Sequence, residues 1–80
     1  MKIQVAGPGC KKCHDTERNV RDACEQLNVN AEILHVSDIK DITKLGVLFT
    51  PAVIVNGKIV FSGKLPSVEE LKNYFSKLSR

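Results

Sequence analysis

The sequence predicts an α/β fold with elements in the order β-α-β-α-β-β-α, and three observations lead to it. A short β-branched strand pattern, Lys2 to Ala6, and a second apolar run, Ala31 to Val36, are separated by a stretch with helical periodicity from Lys11 to Asn28. Two further apolar runs, Ala52 to Val55 and Lys58 to Ser62, flank an Asn56-Gly57 pair, a strong two-residue hairpin signal. Helical spacing returns at Val68, Leu71, Phe75 and Leu78. Strands separated by a helix call for a parallel crossover, whereas a tight hairpin makes its strands antiparallel, so the sheet must be mixed.

Each element has a local cause. The first strand is stopped by Gly7-Pro8-Gly9. From Lys11 to Asn28, the apolar set Cys13, Val20, Ala23, Cys24 and Leu27 marks the buried stripe of an amphipathic helix. Its other face carries Asp15, Glu17, Arg18, Arg21, Asp22 and Glu25, with Glu17 and Arg21 at i,i+4. Asn28 to Asn30 turn the chain into the second strand, where Ile33, Leu34 and Val36 are apolar and His35 reads as a strand-face residue without a chemical role. Ser37 or Asp38 caps a short helix with Ile39, Ile42 and Leu45 on its apolar face, and Gly46 stops it. Thr50-Pro51 opens the third strand, and a proline without an N–H fits a strand's first residue or a cis turn. After the loop Gly63 to Pro66, Ser67 and Glu70 form a capping-box pair at the start of the last helix. Lys72, Lys77 and Arg80 lie toward its C-terminal end, where the dipole favours cations.

Length and composition narrow the function. Eighty residues make one domain, 1–80, with a modest core. The net charge is +3, the basic residues are dispersed, and three Phe, one Tyr and no Trp supply no stacking platform, which argues against nucleic-acid binding. No apolar stretch approaches membrane-spanning length, and the first apolar run is too short for a signal-peptide core, so a cytoplasmic protein without membrane association is expected. Three cysteines do not make a disulfide framework. In a reducing compartment a C-x-x-C is more often catalytic or metal-binding.

The chemistry therefore concentrates in Gly7-Pro8-Gly9-Cys10-Lys11-Lys12-Cys13-His14. Two thiols three residues apart at the start of a helix can close into a small disulfide ring and reopen. The thiolate is the nucleophile in that exchange. A free thiol titrates at about 8.5, and the positive end of a helix together with nearby cations lowers that value. Lys11 and Lys12 are the cations at hand for tuning Cys10, with His14 a further source of positive charge. The Gly-x-Gly start does not make a dinucleotide loop, because Lys12 occupies the place of the third glycine. Cys24, on the buried stripe, reads as a small core residue rather than another redox thiol.

The order of elements, with Cys10-Lys11-Lys12-Cys13 after the first strand, Thr50-Pro51 before the third, and Val55-Asn56-Gly57-Lys58 with Gly63 beyond it, resembles the minimal thioredoxin fold: a four-stranded mixed sheet flanked by three helices. More closely, the chain is similar to the small thioredoxin-like redox-active-disulfide proteins of bacteria and archaea. That resemblance implies that Cys10 is the attacking nucleophile and Cys13 the resolving thiol. It also implies that Pro51 is cis, facing the disulfide, and that Thr50 offers its backbone to an extended substrate, a short β-augmentation. The implied activity is thiol–disulfide oxidoreduction without a bound cofactor or metal. The implied partners are disulfide-containing protein substrates and, as electron donor, a flavoprotein disulfide reductase or glutathione; the chain is expected to be a monomer. Three departures from thioredoxin stand out. Lys11-Lys12 replaces Gly-Pro, Gly9 replaces a Trp, and Gln4 stands where a buried acid serves the resolving thiol, so proton transfer at Cys13 must use water or another side chain.

Two other readings compete. A glutaredoxin-like, glutathione-linked enzyme would differ in its reductant. A small C-x-x-C metal carrier would hold a soft ion on two thiolates, with His14 as a third ligand. However, such carriers resemble β-α-β-β-α-β and end on a strand. An interaction module with incidental thiols is the remaining reading.

Overall fold

The computed structural model describes residues 1–9 and 11–78; Cys10, Ser79 and Arg80, including the dipole role expected of Arg80, lie outside the described residues. The elements run β1 (Lys2–Ala6), α1 (Lys11–Gln26), β2 (Glu32–Val36), α2 (Ile39–Lys44), β3 (Ala52–Val55), β4 (Lys58–Ser62) and α3 (Val68–Leu78). The strands form one sheet in the order β2-β1-β3-β4. β1 pairs parallel with β2, Val5 opposite His35, and antiparallel with β3, Val5 opposite Val53. The β3–β4 pair is antiparallel. This is the expected minimal thioredoxin fold, a mixed four-stranded sheet with three helices.

The sheet separates two apolar layers, as period-two alternation requires. On one face Ile3, Val5, Val53 and Val55 pack with Val20, Ala23 and Cys24 of α1 and with Leu71 and Phe75 of α3. On the other, Ala6, Ala52 and Ile54 pack with Ile42 of α2 and with Val47. β3 is buried along its whole length, which explains its uninterrupted Ala-Val-Ile-Val run. β1 supplies Ile3 and Val5 to the larger layer and Ala6 to the smaller.

Local signals formed as their chemistry dictates. Asn56 and Gly57 both adopt positive φ, 52° and 86°, closing the tight hairpin between β3 and β4. The Asn56 side chain also accepts a hydrogen bond from the Lys2 N–H at 3.0 Å, tying the turn to β1. Of the two candidates for the α2 cap it is Asp38 that acts, its carboxylate accepting from the Lys40 N–H at 2.9 Å. Ser67 Oγ accepts from the Glu70 N–H at 3.1 Å, the forward half of the capping box.

Four details differ from the sequence reading. α1 ends at Gln26 rather than Asn28, because Asn28 takes a positive φ of 55° and leaves the helical region. β2 begins at Glu32, one residue later than expected. Ile39 and Leu78, placed on apolar faces by spacing, are 71% and 41% exposed, each lying at one end of its helix and beyond the layer it should cover. Conversely Thr16 is fully buried on the α1 stripe. Its hydroxyl donates to the Lys12 carbonyl at 2.7 Å, so no polar group is left unsatisfied by that burial.

Candidate functional site

The Cys-x-x-Cys segment leaves the C-terminal end of β1, a central strand, and runs into α1. In an open sheet with parallel strands that is where a crevice forms. Cys13 is fully buried in the first turn of α1. Lys11 and Lys12 beside it are exposed. Cys10, the expected nucleophile, lies outside the described residues.

What receives the Cys13 side chain is Gly7. The Gly7 N–H donates to the Val36 carbonyl at 2.9 Å, continuing the β1–β2 ladder by one residue past the strand. A side chain at this position is impossible without rearrangement. A Cβ built on Gly7 would overlap Cys13 Sγ and stand 3.0 Å from Cys13 Cβ. The same position is 3.9 Å from Thr50 Cβ, so Gly7 is the point where the β1 end, the start of α1 and the Thr50 loop meet. In the sequence Gly7 marks only the end of a strand, because a close approach of this kind has no local signal.

The Thr50–Pro51 peptide is cis, as the family resemblance implied. Pro51 is buried and Thr50 exposed. The loop is held from its far side: the Pro51 carbonyl accepts from the Gly63 N–H at 3.0 Å, and the Phe49 carbonyl accepts from Ser62 Oγ at 3.2 Å. Leu48 and Phe49 just before it are 85% and 66% exposed. Cys13, Gly7 and Thr50 are thereby gathered from three separate segments of the chain.

The remaining residues sort clearly. Cys24 is 5% exposed within the larger core layer, and burial pushes its thiol pKa up against a smaller opposing effect from the positive amino terminus. A thiol held in its neutral form is a poor nucleophile. Gln4 borders a shallow groove with Val36, Asp41, Lys44 and Leu45 on the α2 side of the sheet. His35 is on a strand, as the sequence reading has it, but it does not stand alone. Its ring stands beside Glu17 and His14 of α1, and its Nε2 lies 3.2 Å from the Gly7 carbonyl.

Comparison with known proteins places this geometry. The family model described as the thioredoxin domain matches residues 1–76. The chain is similar to a thioredoxin of Methanocaldococcus jannaschii, 47% identical over 70 residues, which cover 88% of this chain and 80% of that one. It is also similar to a thioredoxin of Methanothermobacter thermautotrophicus, 34% identical over 76 residues, or 95% and 99% of the two chains. No helix among the described residues is long and apolar enough to cross a membrane.

Proposed function

The chain belongs to the thioredoxin family, and from that premise we propose that it is a thiol–disulfide oxidoreductase cycling Cys10 and Cys13 between dithiol and disulfide. The observation that carries the reading is the seat of Cys13. A thiol shielded at the start of a helix, packed on a glycine and flanked by a cis Thr-Pro loop, suits a group that acts only after its neighbour has reacted. The similarity to proteins named thioredoxin favours a thioredoxin-type cycle over a glutathione-linked one.

The chemistry balances as a two-electron exchange. The Cys10 thiolate attacks one sulfur of a substrate disulfide, forming a mixed disulfide and releasing the other sulfur as a thiolate that takes up a proton. Cys13 then loses its proton and attacks Cys10 Sγ. That step closes the Cys10–Cys13 disulfide and expels the second substrate thiol. Reduction of the protein disulfide needs a thiol or dithiol donor, either a flavoprotein disulfide reductase or glutathione. Thr50 and Pro51 would hold an extended peptide of the substrate by main-chain hydrogen bonds, with little demand on its side chains. With Gln4 beneath the sheet in place of an acid, water is the simplest carrier for the Cys13 proton.

The test separates the two roles. Alkylation of the reduced protein at mildly acidic pH should modify Cys10 well before buried Cys13. A Cys13→Ser variant should accumulate a mixed disulfide on Cys10 with protein substrates from a cell extract. Preferential labelling of Cys13, or capture through Cys24, would reverse the assignment.

A further inference from the structure

The chain has two histidines, and the fold brings them together. His14 follows Cys13 on α1, and His35 stands on β2, the edge strand beside β1. Their ring centroids are 5.8 Å apart at 87°. Glu17, one helical turn beyond His14, completes a cluster in which one donor atom from each residue lies within 4.8 Å of the others. His14 is exposed, while Glu17 and His35 are partly buried.

The hydrogen bonds show which atoms are presented. A carbonyl only accepts, so His35 Nε2, 3.2 Å from the Gly7 carbonyl, carries the hydrogen. In the neutral ring Nδ1 is then the lone-pair atom, and it faces Glu17 Oε2 at 3.8 Å. The other carboxylate oxygen, Oε1, accepts from Arg21 Nη2 at 3.1 Å, which fixes the carboxylate. Two acceptors thus face each other across a gap open to a third, the His14 ring. Either a proton on Nδ1 or a shared cation resolves that opposition.

We propose that His14, Glu17 and His35 form a binding site for a divalent transition-metal ion, zinc in the first instance. Two imidazoles and a carboxylate are a donor set that zinc accepts, with a fourth position left for water. Tetrahedral coordination with bonds of about 2.1 Å needs donors roughly 3.4 Å apart, so the cluster closes by small side-chain rotations. The His35 bond to a backbone carbonyl is the outer contact that usually fixes the tautomer of a ligating histidine. The ion would sit between α1 and β2 on three donors that include no cysteine, whereas the Cys13 sulfur is directed to Gly7. It nevertheless touches the redox segment, because the Gly7 that seats Cys13 also accepts the His35 bond.

Zinc chloride titrated into the nitrogen-15-labelled chain, in which the C-x-x-C is oxidised, tests this directly. Long-range proton–nitrogen spectra contain only two imidazoles. One equivalent of zinc should shift both, with His35 bound through Nδ1 and still protonated at Nε2. Competition with a chromogenic chelator should give one zinc per chain in a Cys10→Ser/Cys13→Ser variant. In that background, His35→Gln and Glu17→Gln should each weaken binding tenfold or more. Imidazole spectra insensitive to zinc overturn the proposal, leaving a plain His–Glu ion pair. Zinc lost together with the two thiols, or retained unchanged by His35→Gln, overturns it as well. The spectra of the unmutated chain decide the matter even where a variant fails to fold.

Discussion

Replacing Gly7 by alanine adds one methyl group at the point where Cys13 Sγ rests. The new Cβ would overlap that sulfur and crowd Cys13 Cβ at 3.0 Å, and both atoms belong to a fully buried residue in a helix's first turn. Neither can swing into solvent, so either the helix start or the end of β1 must shift. Gly7 is not among the glycines with positive φ, so the cost is steric rather than conformational. Overpacking of this kind costs about 1–3 kcal/mol. At about 2 kcal/mol, a domain of this size would melt roughly 8–16 °C lower. The loss should be accompanied by a chemical change, since displacing Cys13 exposes its sulfur. Denaturant melts give the first quantity, and the rate of Cys13 alkylation, read by mass spectrometry on the folded reduced protein, gives the second. Gly57→Ala is the control. It sits in the hairpin at φ 86° with nothing within 4 Å of its Cβ position, so it should cost about 1–2 kcal/mol of backbone strain without altering Cys13 reactivity. A Gly7→Ala protein with an unchanged melt and unchanged Cys13 labelling would falsify the close approach on which the site description rests.

Three further predictions concern charge and burial. Lys11 and Lys12 occupy the first turn of α1, where the helix dipole disfavours cations. Lys11→Gln/Lys12→Gln should therefore leave the helix intact, raise the Cys10 pKa and make the protein a weaker oxidant. One pKa unit corresponds to about 1.4 kcal/mol, or roughly 30 mV for a two-electron couple if fully expressed; equilibration with a glutathione buffer measures it, and an unchanged potential reduces the lysines to surface charges. Cys24 has its thiol pKa raised by burial, so its contribution to stability is intact below the unfolded value of 9.0 and is lost as pH rises above it. Cys24→Ala should weaken that alkaline decline in denaturant midpoints while retaining disulfide reduction, and turnover falling as far as in Cys10→Ser would make Cys24 part of the cycle. The Glu70 carboxyl pKa is lowered first by its 2.9 Å hydrogen bond from Lys64 and further by Ser67, so its contribution is present above the ordinary value of 4.5 and disappears as pH falls through the lower folded value. Glu70→Gln should flatten the acid side of the stability profile below pH 4.5, and an unaltered profile would assign that loss to other carboxylates.

The sequence by itself determined the parts of this protein that depend on neighbours along the chain. Apolar runs bounded by turn residues located the strands and helical spacing located the helices, because both signals are written in neighbouring residues. Asn56-Gly57, Asp38 and Ser67 with Glu70 act through hydrogen bonds and φ angles spanning a few residues, so turn and caps were legible without the fold. The C-x-x-C likewise declared a thiol pair by spacing alone. Tertiary structure decided what depends on residues distant in sequence. Gly7 must be glycine because the start of α1 packs Cys13 directly against it. Thr16 could be buried because its hydroxyl found a carbonyl one turn back, whereas Ile39 was left exposed because no layer extends to its end of α2. His14, Glu17 and His35 form a cluster only because a parallel crossover returns β2 beside α1. Local hydrogen bonds and periodicity are properties of adjacent residues; which side chains meet across the sheet depends on strand order and helix placement, and those are set only when the whole core packs.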